Sequence, residues 1–154
     1  SPCLVGSEMC IRDSFERESG QLVSVGVNVV LNQGCSAAHA EMMAIMLAQQ
    51  ELGTHDLGIA DLPEFQLVTS GKMCAMCLGS VVWSGVREVL ASAQPEDVEN
   101  IVGFDEGPAP ADYDQQLEKR GISIIPSFLR EEGCAVLQRY VELEGVVYNP
   151  SRNS

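Results

Sequence analysis

At 154 residues the chain has the length of one domain, and its 45% hydrophobic content is enough to build a core. A formal net charge of −13, with only nine Lys and Arg and no cluster among them, argues against nucleic acid as a partner. No apolar run approaches the ~20 residues of a membrane-spanning helix, and six scattered cysteines, two of them in a C-x-x-C, suit a metal in a reduced, cytoplasmic compartment better than a disulfide framework.

Residues 1–14, SPCLVGSEMCIRDS, show neither a period of two nor one of 3.6. They read like a translated sequencing adapter joined to a reading frame. They lack the basic start and continuous apolar stretch of a signal peptide, so they are set aside as non-native, ahead of a domain over 15–150. Phe15 to Leu22 predicts a hairpin with Gly20 in its turn. The Val-rich alternation of 21–30 predicts a strand. A buried helix follows over 36–52, carrying Met42, Met43, Ile45, Met46 and Leu47, with Ser36 as N-cap and Gly53 as its stop. Strand 65–69, a second buried helix over 74–84 closing at Gly85, and strand 86–92 come next. Pro95 opens an acidic helix to about Ile101. Gly and Pro make 103–113 a loop. A helix over 114–120, a strand over 122–125 and an amphipathic helix over 129–144 complete a layered α/β pattern with a partly parallel sheet.

Two short motifs carry the chemistry: His39-Ala40-Glu41 and Cys74-Ala75-Met76-Cys77. His39 alone reads as an ordinary core or surface histidine. Cys74 and Cys77 alone read as two small buried residues or a redox pair. Together they supply three ligands and a carboxylate. Zn²⁺ with one imidazole and two thiolates is formally neutral and keeps a fourth position for water. Each motif opens a predicted helix, where the N-terminus favours thiolate. Glu41, flanked by Ala40, Met42 and Met43, is expected to be buried and to move protons rather than bind the metal.

The H-x-E and C-x-x-C pair resembles the cytidine and deoxycytidylate deaminase superfamily, and Gly103-Phe104-Asp105-Glu106 resembles the loop of its guanine deaminase type. The resemblance covers about residues 15–150. It implies a three-layer α/β/α sandwich with a mixed sheet of about five strands, here lacking its first helix and most of its first strand, which would survive only near Phe15. It implies one Zn²⁺ held by His39, Cys74 and Cys77, Glu41 as proton shuttle, and guanine hydrolysed to xanthine and ammonia. Asn28 would hydrogen-bond the base, and Phe104 would stack on it. Glu106, with Asp105 as fallback, would accept from the guanine N1–H and amine. Trp83 is a candidate for the pocket lining or for the core. Tyr148, in Gly145-Val146-Val147-Tyr148-Asn149, is a candidate lid, supplied within the chain or by exchange in a homodimer, or else a simple aromatic anchor. One departure stands out: Lys72-Met73 precede the first cysteine, where the family usually has Glu-Pro. His55, Cys35 and Cys134 are expected to play no part.

Three rivals remain at this stage. A tRNA adenosine deaminase shares the metal motif but must bind a polyanion. A deaminase of free cytosine or an s-triazine is compatible with the same motif. A non-catalytic binding module would have no use for all four of His39, Glu41, Cys74 and Cys77.

Overall fold

A computed structural model describes residues 11–149. Its five strands are β1 (Ile11–Glu16), β2 (Leu22–Val27), β3 (Phe65–Gly71), β4 (Glu88–Ala93) and β5 (Ser123–Ile125), in the order β2-β1-β3-β4-β5. β1 runs antiparallel to both its neighbours, whereas β3, β4 and β5 are parallel. The six helices are α1 (Val30–Gln33), α2 (Ala40–Leu52), α3 (Ala75–Ser84), α4 (Pro95–Ile101), α5 (Tyr113–Glu118) and α6 (Arg130–Glu142). They cover both faces of the sheet, which is the expected three-layer α/β arrangement. One apolar cluster joins Ala44, Ile45, Leu67, Val81, Val89 and Leu117. A second joins Ala40, Val98, Phe104, Leu137 and Tyr140.

The strand reading needs two corrections. β1 begins at Ile11, not near Phe15, so residues 11–14 belong to a strand paired on both edges. Ser14 is fully buried between Ser24 and Leu67. Polar residues at a buried central position hide the strand period of residues 11–14. The reading of residues 1–10 lies outside the described residues. β2, in turn, ends at Val27. The Asn28 side chain accepts a hydrogen bond from the Val30 N–H (3.1 Å), an Asx turn that starts α1 where the strand was expected to continue.

The expected stops hold, with Gly20, Gly53 and Gly85 all at positive φ. The start of α2 differs: His39, not Ser36, is its N-cap. Its buried side is also different. Ala40, Glu41, Ala44, Ile45 and Ala48 face inward, while Met46 and Leu47 are largely exposed. Small residues face the sheet because the helix lies against it backbone to backbone. A Cβ at Gly26 of β2 would fall on the Ala40 carbonyl and the Ala44 nitrogen. The Ser24 hydroxyl donates to the Ala44 carbonyl at 2.7 Å, fixing the helix along the strand.

Gly26→Ala is therefore expected to destabilise the fold by about 3 kcal/mol, the upper range for overpacking between rigid elements. Urea unfolding measures it. A change within ~0.5 kcal/mol, the size of an ordinary surface substitution, would show that α2 is not held at that contact.

Candidate active site

α2 and α3 bring their N-termini to one place. His39 caps α2 with φ −68° and ψ 155°, and Cys74 caps α3 with φ −65° and ψ 169°. Neither side chain is spent on a capping hydrogen bond, so both extend ahead of their helices. Cys77, in the first turn of α3, is fully buried. His39 Nδ1 lies 3.5 Å from Cys74 Sγ and 3.6 Å from Cys77 Sγ. A tetrahedral ion bonded to sulfur at ~2.3 Å and to nitrogen at ~2.0 Å holds such atoms about 3.5 Å apart. The donor set and its spacing fit zinc.

The two thiols divide their charge unequally. A hydrogen bond from Cys77, helped by His39, pulls the Cys74 thiol down to about 4. Cys77 moves strongly upward, because it gives that hydrogen bond, is buried, and faces Glu41. The Cys74 contact raises His39 against the opposing effect of burial, and Glu41 and Glu106 add to the rise. A metal bound here displaces the remaining protons, so its affinity falls in acid.

Glu41, one residue into α2, is 5% exposed, and the Cys77 thiol reaches its Oε2 at 3.5 Å. Asn28, His39, Glu41, Lys72, Cys74, Phe104, Asp105, Glu106 and Tyr148 line one cavity, closed below by Val98 and Leu137. Asn28 Oδ1 is committed to Val30, which leaves its Nδ2 pointing to the cavity, where it donates to the Tyr148 hydroxyl. Phe104 is buried and packs edge-on against Tyr148, with ring centroids 4.9 Å apart.

The loop bearing Phe104 is tied in place by backbone contacts. The Ala75 N–H donates to the Glu106 carbonyl at 3.1 Å, joining the loop to the start of α3. Asp105 Oδ1 accepts from the Gly107 N–H at 2.8 Å, an Asx turn. Asn149 grips the loop twice: its Oδ1 accepts from the Asp105 N–H (2.9 Å) and its Nδ2 donates to the Gly103 carbonyl (2.8 Å).

Residues 14–93 match the model of the cytidine and deoxycytidylate deaminase zinc-binding region. The chain belongs to the cytidine and deoxycytidylate deaminase family. Within that family it is 31% identical over 114 residues to a guanine deaminase of Bacillus subtilis (strain 168), which covers 74% of this chain and 69% of that protein. A solved guanine deaminase from Nitrosomonas europaea is 48% identical, with a TM-score of 0.83 over 85% of this chain and 71% of its own. A mutant of NE0047 in complex with 8-azaguanine is 47% identical, with a TM-score of 0.84 over 87% of this chain and 73% of its own.

Most of the residues singled out from the sequence meet in this deaminase cavity. Trp83 does not. It lies near the far end of α3 and is 85% exposed, which contradicts both a pocket wall and a core position. Its helix is apolar on more than its buried side, so periodicity did not orient it. Tyr148 covers the cavity of its own chain. Met73, in the place of the usual family proline, fills the core and is 1% exposed. His55 and Cys35 are exposed, and Cys134 is half-buried away from the cavity. The sequence reading missed the grip of Asn149, the Ala75 tether and the Val98–Leu137 floor. Only Asn149 left a trace, as the neighbour of Tyr148.

The protein is expected to carry one zinc per chain by metal analysis, and Cys74→Ala is expected to lose it. Full zinc retention in that variant would remove Cys74 from the ligand set.

Proposed function

We propose that the protein is a guanine deaminase, converting guanine and water to xanthine and ammonia. The observation that carries this reading is the shared cavity. It holds a zinc-type ligand set, a buried carboxylate beside it, and an acidic loop over both. The named relatives support the choice of base, as does the bound 8-azaguanine in one of them.

When bound, zinc supplies the Lewis acidity that makes water a nucleophile near neutral pH. Glu41 is placed to carry both protons of the attacking water in turn, the first to the ring nitrogen beside the amine-bearing carbon and the second to the departing nitrogen. A carbon–oxygen bond forms, the carbon–nitrogen bond breaks, and ammonia leaves. Burial of Glu41 keeps this proton traffic away from bulk solvent. Glu106 accepts from the N1–H and the 2-amino group of guanine, two donors that suit an acceptor-only carboxylate. Asp105 is less suited, because its Oδ1 already serves the Gly107 N–H. Asn28 donates its Nδ2 hydrogen to a purine acceptor, replacing Tyr148 as its partner. Phe104 packs against the ring, and Tyr148 closes the cavity.

The proposal extends to a cytoplasmic homodimer. Exposed Trp83 and Met76 on α3 support an apolar partner face, and the Val146–Asn149 segment can make the same contacts from a partner. A deaminase acting on tRNA is disfavoured by the charge of −13.

Two measurements test the reading. Glu41→Gln is expected to keep zinc while turnover falls on the order of 10²–10⁴-fold, the usual worth of a general acid–base group. Activity within tenfold of the parent would take Glu41 out of the mechanism. Ammonia release is then compared for guanine, adenine, cytosine and cytidine, each with the parent and with Glu106→Gln. Guanine is expected to be preferred, and the variant to lose roughly 10- to 150-fold on it, the worth of one charge-assisted hydrogen bond. A preference for cytidine would overturn the substrate while leaving a deaminase. A selective loss in Asp105→Asn would move the role to Asp105.

A further inference from the structure

The loop from Gly103 to Asp112 carries Phe104, Asp105 and Glu106, and its front is held by Ala75 and Asn149. Its far end runs directly into α5 at Tyr113. A six-residue helix has little stability of its own, so something outside it must hold that end if the loop is to keep its shape. Tyr113 and Leu117 pack α5 into the main apolar cluster, and Lys72 adds a charged contact at its first turn.

The Lys72 side chain is only 11% exposed, and its Nζ lies 2.7 Å from Asp114 Oδ1. The same ammonium sits 4.4 Å from the centre of the Tyr113 ring, itself buried. A lysine removed from water is held by its partners, and here both partners are the first two residues of α5. The base of the contact is rigid. The Lys72 N–H donates to the Ala93 carbonyl at 2.7 Å, continuing the pairing at the ends of β3 and β4. Two residues later comes Cys74. Lys72 is also among the residues that line the cavity with His39 and Glu41.

We propose that Lys72 is a positioning residue for substrate binding: paired with Asp114 and seated on Tyr113, it pins the far end of the Gly103–Asp112 loop to the strand end that presents Cys74. It acts through Phe104 and Glu106, because its ammonium is committed to Asp114 and the Tyr113 ring. The proposal rests on reading that loop as the one that binds the base. It explains the charge immediately before the metal turn, where the family usually has the opposite one.

The test uses Lys72→Met, Asp114→Asn, their combination and Lys72→Arg in the full zinc-loaded chain. Hydrogen exchange without substrate follows the amides of 103–112, and guanine kinetics follow KM and kcat separately. Lys72→Met is expected to speed exchange in the loop about tenfold while β3 and β4 stay unchanged. KM should rise about tenfold, with zinc content retained and kcat within about twofold, as suits loss of one buried charged contact. Asp114→Asn, at a half-exposed position, should reproduce the effect without risk to the core. The double variant should be no worse than either single one, and Lys72→Arg should restore most of the lost KM. A residue with a merely structural role would instead lower zinc, kcat and exchange protection together throughout the molecule. Unchanged loop exchange in Lys72→Met, or faster exchange with unaltered KM, overturns the proposal. A parent inert on guanine overturns the substrate reading, while the exchange result still decides the role of Lys72.

Discussion

The contact between α2 and β2 at Gly26 sets the position of His39 and Glu41. Helix and strand meet there without side chains between them, because one contributes a glycine and the other a line of alanines. The distance is fixed by backbone rather than by adaptable side chains, so the first turn of α2 has little freedom. α3 is placed by a different device. β3 runs parallel to β4, and the Lys72 N–H extends their pairing by one more bond before the chain turns into Cys74. The acidic loop follows α4, which follows β4. Ligands, carboxylate and loop therefore gather at the carboxyl ends of the parallel strands, where open α/β sheets place their clefts.

Bringing two helix starts together also solves an electrostatic problem. Two thiols and a buried carboxylate in one spot repel each other once ionised. Each helix start presents unpaired backbone N–H groups and a partial positive charge, which favours anions at that end. Cys74, burial and Glu41 push the Cys77 thiol up, and it lies 3.5 Å from Glu41 Oε2. His39, Cys74 and Cys77 would hold a divalent cation as a formally neutral unit. Glu41 is then the charged group left over, beside the centre rather than bonded to it.

The parts of this arrangement visible in the sequence were those fixed by local chemistry. The two motifs named the three side chains that converge as a possible metal site, Gly53 and Gly85 marked the helix ends, and the apolar neighbours of Glu41 foretold its burial. What stayed hidden depends on contacts between distant segments. Asp13 and Ser14 are poor strand formers by composition, and they become a central strand only because β2 and β3 flank them. Met46, Leu47 and Trp83 are as apolar as any core residue, yet they lie on the outward sides of α2 and α3. Lys72 read as a departure from a family pattern. Its meaning came from Asp114, a residue that has no sequence relation to it.

The acidic loop has a consequence for the end of the catalytic cycle. On the guanine reading, Glu106 holds its substrate by meeting an amino group with a carboxylate. Deamination replaces that amino group with a carbonyl. The same carboxylate then keeps the N1–H but meets an oxygen where the amine was, acceptor against acceptor, so its hold weakens without any movement of the protein. The chain's strongly negative charge acts in the same direction on an acidic product. On that reading, recognition and release would both depend on one side chain, and the reaction itself would switch between them. The group that would select guanine is also the one that would hold xanthine less well.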